Sequence, residues 1–138
     1  MKYGRSGLGL IPTIFRQIPR VLATIRQEND WLKKAVKEYH FDAIISDNRY
    51  GLFHEGIPCI FITHQLSIKS PLGNWSERIL QKRNYRFINR FTECWIPDEK
   101  IGDGLAGQLS HPVVMPLTPV RYIGILSRLK KDNVGEKK

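Results

Sequence analysis

No apolar run in this 138-residue chain reaches the roughly 18 residues that a bilayer-spanning helix needs, and no signal-peptide core precedes a cleavage site. Lys2 and Arg5 are followed by Gly7, Gly9 and Pro12, and charged residues recur from Arg16 onward. A soluble or peripheral chain is expected. Cysteine is nearly absent. Cys59 and Cys94 each sit inside an apolar run, which reads as core thiols of a reduced, cytoplasmic protein. A disulfide between them would require their strands to be neighbours. The histidines at 40, 54, 64 and 111 share no ligand spacing with the cysteines, so no metal site is expected. The sequence also lacks G-x-S-x-G, a P-loop and a dinucleotide fingerprint, and no cofactor is expected. Acidic residues are scarce as well, 13 against 22 basic ones, for a net charge of +9. That excess fits either a solubilising basic surface or contact with phosphate, anionic lipid or nucleic acid.

What is present is an alternation of helical and strand patterns. The length suits one domain. Residues 1–10 are glycine-rich and are expected to be flexible. From Ile11, apolar residues at 11, 14, 15, 18, 21, 22, 25, 32, 35, 36 and 39 keep helical spacing. Pro12 suits a first turn, whereas Pro19 predicts a kink or break, and Asn29 or Asp30 could cap a second helix. Phe41–Ser46 reads as a buried strand, and Gly56-Ile-Pro introduces another over Cys59–Thr63. Their continuous apolar runs suit parallel strands covered on both faces, with a crossover of about a dozen residues, here a short helix, between them. Residues 75–91 return to helical period, Glu93–Ile96 reads as a third strand ended by Pro97, and Val120–Gly124 as a shorter fourth. The expected fold is α/β, a partial Rossmann-like parallel sheet of three to four strands with flanking helices over 11–128, followed by a charged, disordered tail over 129–138.

Ligands of open parallel sheets bind beyond the carboxyl ends of the strands. Ser46, Asp47, Asn48, Arg49 and Tyr50 follow the first strand, His64 and Gln65 the second, Asp98 and Glu99 the third. Ser46, Asp47 and Asn48 read equally as caps or turn-makers. Arg49 beside a helix start would make an anion site. His64 is either a hydrogen-bonded core histidine or a general base or phosphate ligand. Asp98 and Glu99 read as a solvated turn.

The third helical stretch carries Arg78, Lys82, Arg86 and Arg90 at intervals of four, with Arg83 alongside. Such a stripe is either an ordinary solvated face or a contact for an anionic surface. No nucleic-acid motif accompanies it, so nucleic acid is not the expected partner.

Ile45-Ser-Asp-Asn-Arg-Tyr-Gly, Phe61-Ile-Thr-His-Gln-Leu, Tyr85-Arg-Phe-Ile-Asn-Arg-Phe, Leu105-Ala-Gly-Gln-Leu-Ser-His-Pro and Val120-Arg-Tyr-Ile-Gly-Ile-Leu-Ser-Arg carry a resemblance. Over roughly residues 5–128 the chain resembles bacterial glycosyltransferase-like proteins of the two-domain GT-B fold, related to the lipid-linked N-acetylglucosaminyltransferase of peptidoglycan synthesis. The resemblance implies the second half of the N-terminal, acceptor-side domain of an inverting nucleotide-sugar transferase. An opening strand with a Gly-rich turn would precede residue 1, and the nucleotide-sugar domain would follow residue 128. It implies acceptor contacts at Ser46–Tyr50, His64 and Gln65, no assignable catalytic base, and a nucleotide-sugar-binding domain or subunit in trans. The basic helix would face a lipid-phosphate acceptor, placing a cytoplasmic protein peripherally at the inner membrane. The rival reading is a non-enzymatic basic α/β module that binds an anionic partner or self-associates. An uncovered sheet edge would favour a homo-oligomer.

Overall fold

The computed structural model describes residues 10–70, 73–100 and 109–125, with side chains from Ile18 onward. The glycine-rich start apart from Leu10, the first half of the Leu105–Pro112 block (105–108) and the tail at 129–138 lie outside the described residues. Six elements follow one another: α1 (Leu10–Glu38), β1 (Ile44–Asp47), β2 (Cys59–Ile62), α2 (Asn74–Ile88), β3 (Glu93–Ile96) and β4 (Val120–Tyr122). The strands form one sheet in the order β1-β2-β3-β4, and every pairing is parallel. The chain is thus α/β, as its strand and helix periods require.

α1 runs through Pro19 without a break. A proline removes a single backbone donor, and the apolar stripe of Ile18, Leu22, Ile25, Leu32, Ala35 and Val36 continues past it on one side. Nor does Asn29 start a new helix. It occupies a stripe position facing the sheet, and its amide donates to the carbonyls of Gly51 (3.1 Å) and Phe53 (2.7 Å). The expected crossover helix between β1 and β2 is likewise absent. Residues 48–58 are turns, punctuated by Gly51, Gly56 and Pro58, and Leu52, Phe53 and Ile57 pack them onto the core. Gly51 lies so close to α1 that a Cβ there would meet Ile25 O and Glu28 Cβ at 2.5 Å.

The core lies on one face of the sheet. Leu32 and Val36 of α1, and Tyr85 and Ile88 of α2, pack on Ile44, Cys59, Phe61, Cys94 and Ile96. Aromatic rings knit it together. Tyr50 stacks on Phe61 with centroids 5.0 Å apart, and Phe61 meets Phe91 at 4.9 Å. Coverage of both faces, expected from the apolar runs, is not found among the described residues. Ile45 is 58% exposed, and Ile60, Ile62 and Trp95 are only half-buried. Glu93 sits on this open face, accepting from the indole of Trp95 (2.7 Å) and the guanidinium of Arg121 (3.1 Å). Those contacts, the indole first, hold its carboxyl below the usual range.

β2 and β3 are neighbours, yet both cysteines are free and buried. The register sets Cys94 opposite Phe61, two residues past Cys59, so the sulfurs are out of step. Burial pushes the Cys94 thiol up to about 12. Cys59 is raised too, by the same desolvation.

Candidate functional site

Parallel pairing brings the ends of β1, β2 and β3 to one edge. Asn48 leaves β1 in the left-handed region (φ 54°), a conformation asparagine tolerates better than most residues, while its amide still donates to Ile62 O at 2.9 Å. Its side-chain oxygen lies 3.3 Å from Thr63 Oγ1, which is buried and in turn accepts from the Gln65 amide at 3.1 Å. The turn after β1 and the turn after β2 are therefore latched to each other. Asp47, Asn48, His64 and Gln65 are all exposed along this edge.

The remaining residues of the expected set go elsewhere. Ser46 is fully buried and its hydroxyl donates to Arg49 O, so it makes the turn from inside. With no helix after β1, neither Ser46 nor Asp47 is a helix cap, and Arg49 is not at a helix start. Arg49 projects outward and pairs with Glu28 of α1 at 3.2 Å, while the other Glu28 oxygen accepts from the Gly51 amide. Tyr50 turns into the core. Its ring packs on Phe61 and Phe87, its hydroxyl donates to Asn84 Oδ1 at 2.6 Å, and burial raises its phenol. Nothing in the local sequence Ser46-Asp-Asn-Arg-Tyr50 marks Tyr50 as inward, and its hydrogen-bonding partner lies 34 residues away.

Asp98 overturns the solvated-turn expectation. It is fully buried, its Oδ1 accepts from the Glu99 amide and its Oδ2 from Ser110 Oγ at 2.7 Å. With that hydroxyl proton directed at the carboxylate, His111 Nδ1, 2.9 Å from Ser110 Oγ, is placed to donate to it. Tyr122 closes the cluster, stacking on His111 and donating to Ser110 O. Ser110 thus ties the Asp98 carboxylate to the His111 ring.

The basic stripe divides. Arg78, Lys82 and Arg86 line a groove of about 820 Å³ beside α2, together with Ile68, Lys69 and Val114. Arg90 lies beyond the helix end, its guanidinium 5.3 Å from the Phe87 ring, and faces a second hollow of about 800 Å³ with Arg26, Asn29 and His54. Side chains of α2 that had no evident role in the sequence anchor the neighbouring 66–70 segment. Gln81 accepts from the Ile68 amide and donates to Leu66 O, Asn84 donates to Leu66 O, and Glu77 accepts from the Ser70 amide. Glu77 also meets Lys69 at 3.9 Å.

Among the described residues no group of three His, Cys, Asp or Glu side chains could hold a metal, and no helix is long and apolar enough to cross a membrane. No protein-family model matches the chain, and no curated protein or solved structure matches it either.

Proposed function

We propose that this chain supplies the acceptor side of a nucleotide-sugar glycosyltransferase, acting on a lipid-phosphate-linked acceptor at the inner membrane surface. The observation that carries the reading is the latched edge. Asp47, Asn48, His64 and Gln65 present carboxylate, amide and imidazole groups side by side at the carboxyl ends of parallel strands, where open α/β sheets place their ligands. Such groups bond sugar hydroxyls well, and the left-handed Asn48 fixes their spacing. Donor contacts then come from a nucleotide-sugar-binding domain or subunit in trans.

The test is amide NMR on the labelled chain. A water-soluble, short-prenyl diphosphate-linked N-acetylglucosamine should shift Asn48, His64 and Gln65, whereas UDP-N-acetylglucosamine at equal concentration should not. Shifts from the nucleotide sugar alone, or none at this edge from the acceptor, would overturn the reading. The second reading, a non-enzymatic module for an anionic partner, draws on the groove lined by Arg78, Lys82 and Arg86. It would stand if the groove bound an anion while the edge stayed silent.

A further inference from the structure

The groove beside α2 has an outer wall with a chemistry of its own. Residues 112–118 pass along the helix before entering β4, and their backbone is pinned. The Tyr85 hydroxyl donates to Val114 O, the amides of Leu117 (2.9 Å) and Thr118 (3.2 Å) both donate to Asn89 Oδ1, and Thr118 Oγ1 donates toward Ile88 O. Pro112 and Pro116 stiffen it further. Pinned in this way, the segment holds its aliphatic side chains out in water. Val113 is 104% exposed, Leu117 91% and Val114 68%. A slack loop could turn them inward, but this one is fastened with them outside.

Across the groove stand Arg78, Lys82 and Arg86, exposed, and none of the three is in an ion pair among the described residues. We propose that this surface docks on an anionic bilayer, Val113, Val114 and Leu117 entering the acyl boundary while the three cations meet lipid phosphates. Aliphatic side chains gain from any water-free medium, unpaired cations gain from negative charge, and an anionic bilayer offers the two in adjacent layers. An acidic peptide would satisfy the cations and leave the aliphatics wet. A second copy would offer only the same patch, whose one groove-lining acid, Glu77, is already paired with Lys69, so the cations would gain little from it. Trp75, exposed on the outer side of α2, suits the headgroup region.

This inference rests on the lipid-facing part of the function proposed above, and the following experiment separates the two. The full chain is sedimented with vesicles of phosphatidylcholine alone and with phosphatidylglycerol added at about one part in four. The chain should partition onto the anionic vesicles only, and less so as salt rises. The double variant Lys82→Glu/Arg86→Glu should lose about tenfold or more of that binding. Leu117→Asp should weaken it comparably, with circular dichroism and melting unchanged because the side chain is already in water. Equal partitioning of the variants and the wild type would overturn the proposal. So would a Leu117→Asp variant that dissolved a dimer and bound vesicles normally, since the patch would then be a contact between copies. Lost vesicle binding with intact acceptor shifts at Asn48 and His64 would confirm docking as a separate property. Normal vesicle binding with a silent edge would sink the acceptor reading alone.

Discussion

The two faces of the sheet obey different rules. On one, Ile44, Cys59, Phe61, Cys94 and Ile96 lie under two helices and are almost wholly buried. On the other, Ile45, Ile60, Ile62 and Trp95 alternate with Asp47, Glu93 and Arg121 and remain open among the described residues. Both faces draw on the same strands, and β1 and β2 offer isoleucine to each. The difference comes from what α1 and α2 bring against one face, chiefly Leu32, Tyr85 and Ile88. Strand composition alone therefore did not determine burial; the helical stripes did.

Phe61→Ala breaks the buried side most severely. It removes a ring at the centre of the aromatic cluster and should cost about 3–5 kcal/mol, measured by denaturant unfolding. Gly51→Ala tests how tightly α1 is seated, since the new methyl would overlap Ile25 O and Glu28 Cβ; a loss of about 1–3 kcal/mol is expected. A neutral Gly51→Ala would mean that α1 is not seated this closely. Ile45→Thr probes the opposite face and should move stability by no more than about 0.5 kcal/mol. A penalty of core size there would show that something covers this face in solution. The smallest effect belongs to Glu93→Gln. Its carboxyl is held below the ordinary range, so its contribution is present above the unfolded carboxylate pKa and is lost as pH falls through the lowered folded value. The melting-temperature gap between wild type and variant should accordingly close on acidification, and a gap that widened toward acid would contradict the assignment.

Much of this arrangement was legible beforehand, for identifiable reasons. β2 and β3 carry short apolar runs bounded by Pro58 and Pro97, and a parallel sheet followed from connections too long for hairpins. The misreadings fall where partners are distant in sequence. Pro19 and Asn29 are local helix-breaking signals, overridden by a stripe that packs along the sheet and by carbonyls at 51 and 53. Tyr50 looks like an acceptor contact and Asp98 like a solvated turn until Asn84 and Ser110 are brought to them. Of the candidate site, the exposed edge residues 47, 48, 64 and 65 were foreseeable from strand ends. The latch between Asn48 and Thr63 was not, because it depends on the register of β1 against β2.

The bonds from Asn29 and Glu28 to the turn after β1 also bear on how the molecule breathes. Asn29 holds the carbonyls of 51 and 53, and Glu28 holds the Gly51 amide and Arg49. The middle of α1 cannot lift away without releasing that turn, and the turn cannot open without leaving a polar helix side chain unsatisfied against the core. In native-state hydrogen exchange the amides of 25–36 and of 51–53 should therefore open as one cooperative unit, with a common free energy and a common denaturant dependence. The Asn48–Thr63 latch, next to that turn, would inherit its stillness from the middle of α1.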